Sequence, residues 1–174
     1  MQENNREESL ELRNNTPSSN PVTSLISTLS QEQKAALTYI LRGENIYISG
    51  PGGSGKTHLI TVLKSLLKTR NVAFTSTTGV SAISIGGITL HSWAGIKLGK
   101  ESADELVKNI KKSPSATKEW KSVEILIIDE ISMLPCELFE KLNIIGKKIR
   151  ESSVFFGGIQ LVLFGDFYQL SPIT

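Results

Sequence analysis

The chain alternates short apolar runs with longer stretches of helical periodicity. The runs "NIYIS", "VAFTS", "EILIID" and "LVLF" are close to continuously apolar, the pattern of strands buried on both faces. Strands interleaved with helices in this way predict a three-layer α/β domain, a mainly parallel sheet with helices on both sides. Two helix starts are legible. Ser30 stands three residues before Gln33 and Ser102 three before Glu105, both with capping-box spacing. Gly43 marks a stop for the first of these helices. The stretch "GKESADELVKNIKKSPSATKEWKS" reads as a surface excursion: one capped helix with a basic tail at Lys108, Lys111 and Lys112 facing solvent. No internal repeat or low-complexity tract interrupts the folded part.

From Met1 to about Thr23 the pattern is absent. Asn, Glu and Ser dominate there, and such a segment buries too little apolar surface to offset its ordering entropy. Residues 1–23 are therefore expected to form a disordered leader, and residues 24–174 one folded domain. A chain of 174 residues with 39% hydrophobic content can bury one substantial core. The first twenty residues carry four Glu against two Arg, so the remainder of this +2 chain holds +4. That is a mild basic bias and not a polybasic nucleic-acid footprint. Cys136 is the only cysteine, which excludes an internal disulfide, suits a reducing compartment and suggests a buried bystander thiol. No apolar run approaches membrane-spanning length, and the acidic amino terminus fits neither a secretory signal nor a transit peptide. An intracellular protein without a membrane partner is expected.

The chemistry is written after the strands. In "ISGPGGSGKTHLI", Gly50 and the Gly55, Lys56 and Thr57 that follow satisfy the P-loop spacing, between a strand and an apolar helix. Gly50, Gly52, Gly53, Ser54 and Gly55 would let backbone N–H groups converge on phosphate oxygens. Lys56 would reach the β- and γ-phosphates, and Thr57 would offer a hydroxyl to Mg²⁺. His58 reads as an early-helix residue. In "EILIIDEISML" an apolar strand ends in Asp129 and Glu130. Two acids there suit a helix amino terminus; beside a P-loop they suit a Mg²⁺ carboxylate and a base that activates water. A third strand, Leu161 to Phe164, delivers Gly165 and Asp166 at its carboxyl end.

Five stretches in order, "LSQEQKAAL", "GPGGSGKT", "TSTTGVSAISIGGITLHSWAGI", "IIDEISML" and "FGGIQLVLFGDFYQLSP", together resemble the amino-terminal motor lobe of the Pif-type DNA helicases, in the RecD-like branch of superfamily one. The similarity runs from about Ser30 to Pro172. It implies a P-loop NTPase fold of the RecA-like motor type, with ATP and Mg²⁺ as ligands. It also implies 5′-to-3′ translocation on single-stranded DNA or DNA junctions, in repair, recombination or telomere maintenance, and a nuclear or mitochondrial home in a eukaryote. By the same resemblance Gln33 would read adenine and Gln169, carried by the Gly165–Asp166 turn, would contact the γ-phosphate. Asp129 would hold Mg²⁺ with Thr57, and Glu130 would be the base. Thr77, Thr78, Gly79 and His91 would face the DNA strand. Trp93 stands where the family more often has Phe, with core packing and base stacking both open to it. Two departures are visible. Ser171 replaces the first proline of the usual "QLPP", and the second motor lobe with its arginine finger is expected but absent from this chain. The other reading is a truncated module that binds nucleotide or DNA without useful turnover.

Overall fold

The computed structural model describes residues 21–166 and residue 168. Five strands form one parallel sheet: β1 (Ile46–Ser49), β2 (Val72–Ser76), β3 (Ile88–Thr89), β4 (Ile125–Asp129) and β5 (Gln160–Gly165), in the order β1-β5-β4-β2-β3. Helices α1 (Pro21–Ser27), α2 (Gln31–Leu41), α3 (Lys56–Leu66), α4 (Gly79–Ser84), α5 (Leu90–Ala94), α6 (Ala103–Lys111), α7 (Pro114–Ser122) and α8 (Cys136–Arg150) connect them. This is the expected three-layer arrangement. Among the described residues no helix is long and apolar enough to cross a membrane.

The sheet divides the core in two. Every residue of β4 is buried, and its side chains alternate between faces. Leu126 and Ile128 join Leu90, Trp93, Ile110, Trp120, Leu142 and Ile145 on one side. Ile125 and Ile127 join Leu37, Ile40, Leu59 and Leu63, from α2 and α3, on the other. Burial on both faces explains why β4 and β5 read as continuous apolar runs, whereas β1, at the edge of the sheet, alternates half-buried and exposed residues.

Both expected capping boxes are present, at Ser30 with Gln33 and at Ser102 with Glu105. Gly43 follows the Arg42 cap of α2 with a φ of +82°, the left-handed conformation that ends a helix at little cost to glycine. The stretch after Gly99 departs from expectation. It holds two helices: Pro114 sits in the first turn of α7, capped by the Ser113 hydroxyl, so the proline that ends one helix starts the next. Nor is it an excursion, because Leu106, Val107, Ile110 and Trp120 are buried in the core while Lys108, Lys111 and Lys112 stay exposed.

Two further expectations change, and the choice at Trp93 is settled. Helix α1 begins at Pro21, inside the segment read as leader; Leu25 and Ile26, both half-buried, pack on the α2–α3 core and hold this short helix against it. Cys136 is exposed and not buried. It opens α8, whose core-facing stripe is Leu138, Leu142, Ile145 and Ile149, and its position falls off that stripe. Trp93 is buried, with its ring 4.7 Å from that of Trp120, so of its two possible roles the structure takes core packing.

Candidate active site

Strand register brings the predicted residues to one edge. Ser49 pairs with Gly165, Ile128 with Leu163, Ser76 with Asp129 and Ser76 with Thr89. The carboxyl ends of all five strands therefore align, which is where open α/β sheets bind ligands. The P-loop leaves β1 and enters α3, the Asp129–Glu130 pair leaves β4, and β5 lies between them.

Two glycines shape the loop by what they lack. A Cβ on Gly50 would stand 2.6 Å from the Ser54 hydroxyl oxygen. Gly55 has a φ of +86°, and a Cβ there would stand 2.6 Å from Gln33 Nε2. Gly55 also caps α3 without a side chain, so no side-chain acceptor occupies the first N–H groups of that helix. Lys56 Nζ donates to the carbonyls of Gly50 at 2.5 Å and Pro51 at 3.0 Å. A pocket of about 280 Å³ is walled by Gly52, Gly53, Gly55, Lys56 and Thr57 from the loop and by Asp129 and Glu130 opposite. Ser54 and Gln33 line a neighbouring pocket of about 320 Å³ that also includes Gly50, Ile48, Ala36 and Leu59. Ala36, Ile48, Pro51 and Leu59 give it apolar walls beside the Gln33 amide, with Glu32 and Lys56 also in the lining, a mixture that suits a flat heterocycle joined to an anionic group.

Gln33 is held at both ends of its amide. Its Oε1 accepts from Ser30 N at 2.9 Å and its Nε2 donates to the Gly55 carbonyl at 3.1 Å. The capping box thus ties α2 directly to the P-loop, and the amide keeps a second N–H and a second lone pair with which to meet a purine edge.

Asp129 is buried and Glu130 half-buried. Glu130 adopts φ 55°, ψ 42°, a left-handed conformation uncommon for a residue with a Cβ and often found at functional sites. Burial lifts its carboxyl above the ordinary glutamate range; the Asp129 charge adds to the rise, Lys56 opposes it, and Asp166 adds a further push. Asp166 is itself buried and accepts from the Tyr168 N–H at 3.0 Å.

The hydroxyl-rich exit of β2 grips this pair. Ser76 Oγ and Thr77 N donate to the Asp129 carbonyl, each at 3.2 Å, and Thr77 Oγ1 donates to the Glu130 carbonyl at 2.8 Å. Thr78 Oγ1 accepts from Ser81 N at 3.2 Å, capping α4. The Thr77 and Thr78 hydroxyls, expected to meet phosphates, therefore already have partners inside the fold; Gly79 is exposed. His91 is half-buried in α5, directly after β3, on the same edge of the sheet. Gln169 lies outside the described residues. Sequence reasoning passed over Ser81, whose hydroxyl donates to Asp129 Oδ2 at 2.5 Å. Its only signal was its place in the run "TSTTGVS".

Hard oxygen donors fit Mg²⁺. Thr57 and Asp129 are too few for an all-protein cage, and among the described residues no group of three or more His, Cys, Asp or Glu could hold a metal. Mg²⁺ is ordinarily held by one or two carboxylates together with substrate phosphates, and the glycine-lined wall leaves room for those phosphates.

Comparison with known proteins agrees with this geometry. The sequence profile of the family described as PIF1-like helicase matches residues 28–174. The ATP-dependent DNA helicase PIF1 of Saccharomyces cerevisiae is 45% identical over 150 residues, 84% of this chain and 18% of that protein. The crystal structure of the Pif1 helicase from Candida albicans superposes with a TM-score of 0.81 at 46% identity, covering 84% of this chain and 34% of that one. A Bacteroides Pif1 helicase in complex with ADP-AlF3 and single-stranded DNA gives 0.63 at 33% identity, with 84% and 34% covered. The chain therefore spans about a fifth of the yeast relative and a third of each solved structure.

Proposed function

We propose that this chain, which belongs to the PIF1-like helicase family, is the nucleotide-hydrolysing module of an ATP-dependent DNA helicase. The observation that carries the reading is the meeting of Lys56, Asp129 and Glu130 around one pocket, from two loops remote in sequence. The P-loop N–H groups and Lys56 would bind the β- and γ-phosphates. Thr57 and Asp129 would hold Mg²⁺, which when bound spreads the charge that develops on the transferring phosphoryl oxygens. The Glu130 carboxylate would orient the attacking water and take its proton, and the rise in its basicity suits that task. Gln33 would meet the purine edge, and Gln169 the γ-phosphate.

DNA would run along the edge that carries Thr77, Thr78, Gly79 and His91. With a net charge of only +2 the chain would neutralise few phosphates, so binding to single strands should be weak, indifferent to sequence and shallow in its salt dependence. Movement in the 5′-to-3′ direction, a second motor lobe as partner, and service in repair or recombination extend the same proposal. Lys56 is the only cation lining the phosphate pocket among the described residues. A second cation from the partner lobe is worth about 10³–10⁵-fold in NTPases that use one, so the chain by itself should turn over slowly.

The test pairs labelled-ATP binding with single-turnover phosphate release for wild type and Glu130→Gln. Binding should be unchanged in the variant, and hydrolysis should fall by about 10²–10⁴-fold. Equal hydrolysis by both proteins would remove Glu130 from the site; absence of ATP binding by wild type would remove the nucleotide site itself.

A further inference from the structure

The Ser81–Asp129 contact crosses 48 positions of sequence and joins two elements that the proposed function uses for different ligands. Asp129 ends β4 and faces the phosphate pocket. Ser81 belongs to α4, the helix capped by Thr78. The carboxylate is buried, and its Oδ2 accepts from Ser81 Oγ at 2.5 Å. A carboxylate turns about its last torsion over a broad, two-fold range, so a donor on one oxygen selects which oxygen meets the pocket. The backbone of Asp129 is already held: Ser76 Oγ and Thr77 N donate to its carbonyl. Ser81 adds the hold on the side chain. Ser81 is in turn placed by its own N–H, which donates to Thr78 Oγ1 at 3.2 Å. A continuous path thus runs from the Thr78 hydroxyl, through one residue of α4, to the carboxylate that would bear on the metal.

We infer that Ser81 is a positioning residue for Asp129: its hydroxyl presents the carboxylate to Mg²⁺ and, through the Thr78 cap, links that presentation to the segment that would contact single-stranded DNA. The inference rests on the proposed nucleotide site and deepens it. The linkage is reciprocal: a strand bound at the Thr78–Gly79 turn changes the hold on the metal to the same degree that the metal changes the hold on the strand.

The experiment is a Mg²⁺ titration of fluorescent ATP-analogue binding to the full 174-residue chain, which reads occupancy and not turnover. Ser81→Ala should raise the Mg²⁺ concentration at half-maximal binding by about 10- to 100-fold, the usual effect of removing a group that orients a metal ligand. Ser81→Thr keeps the hydroxyl and should stay near wild type, which separates positioning from general damage to α4. In an Asp129→Asn background Ser81→Ala should add nothing, since the path ends at that carboxylate. Adding oligo-dT should shift the wild-type midpoint and leave that of Ser81→Ala in place. If the chain binds the analogue in a Mg²⁺-dependent way and Ser81→Ala shares the wild-type midpoint, the inference is overturned while the proposed function stands. A wild-type chain that binds no nucleotide overturns both, and an effect of Ser81→Ala that persists in Asp129→Asn overturns the path through Asp129.

Discussion

Trp120 gives the sharpest test of how the fold is held. Its side chain is completely buried, its indole N–H donates to the Ala94 carbonyl at 3.0 Å, and its ring lies 4.7 Å from that of Trp93. The Arg150 guanidinium donates to its carbonyl at 2.8 Å, so the residue joins α7 to α5 and to the end of α8. Truncation to Ala removes a large buried ring and leaves a cavity, about 3–5 kcal/mol by the usual behaviour of buried aromatic residues. Against a total stability of about 5–15 kcal/mol that is a large fraction. For a domain of this size it corresponds to a melting temperature lower by roughly 6–20 °C. Trp120→Phe keeps most of the ring but leaves the Ala94 carbonyl without its donor, at about 1–3 kcal/mol. Urea and thermal unfolding followed by far-ultraviolet circular dichroism would measure both variants free of the lost tryptophan signal. Nucleotide affinity, read well below the melting range, should be unaffected, because the phosphate pocket is lined from other elements. If Trp120→Ala melts within about 2 °C of wild type, under 1 kcal/mol at this size, α6 and α7 are peripheral and the core assignment is refuted.

The remaining predictions concern the site. Lys56→Ala removes the only cation lining the phosphate pocket among the described residues. A hydrogen bond to a charged group is worth about 1.5–3 kcal/mol, so the Kd for ATP should rise by roughly 10- to 150-fold in isothermal titration; an unchanged Kd would take the P-loop out of the site. Because burial raises the Glu130 carboxyl, the folded chain holds this proton more tightly than the unfolded one. The associated stability is complete below the ordinary glutamate range and is lost as pH rises through the raised value. Glu130→Gln, which stays neutral, should therefore melt above wild type at neutral pH, with the gap closing in acid. Melts in EDTA from about pH 4 to pH 8 test the sign, and a variant that melts below wild type at neutral pH refutes it.

Much of this protein was determined by sequence-local physics. The apolar runs of β4 and β5 mark the central strands buried on both faces, the pattern of a parallel sheet covered by helices on each side. Capping boxes at Ser30 and Ser102 and the left-handed Gly43 are set by residues within a few positions of one another. The P-loop is likewise local, because its glycines, Lys56 and Thr57 all fall within residues 50–57, and it is legible without any tertiary contact. What only the folded chain decided is which distant groups meet. Neither Trp120 nor Cys136 carries a local sign of burial; Trp120 is buried because α7 packs between α5 and α8, and Cys136 is exposed because it falls off the core stripe of its helix. The hydroxyls of Thr77 and Ser81 look like free donors in the sequence, yet they bind Glu130 and Asp129 because parallel register sets Ser76 beside Asp129. The left-handed backbone and raised basicity of Glu130 arise in the same way, from a turn enclosed by neighbouring strands and from charges that the chain brings together only on folding.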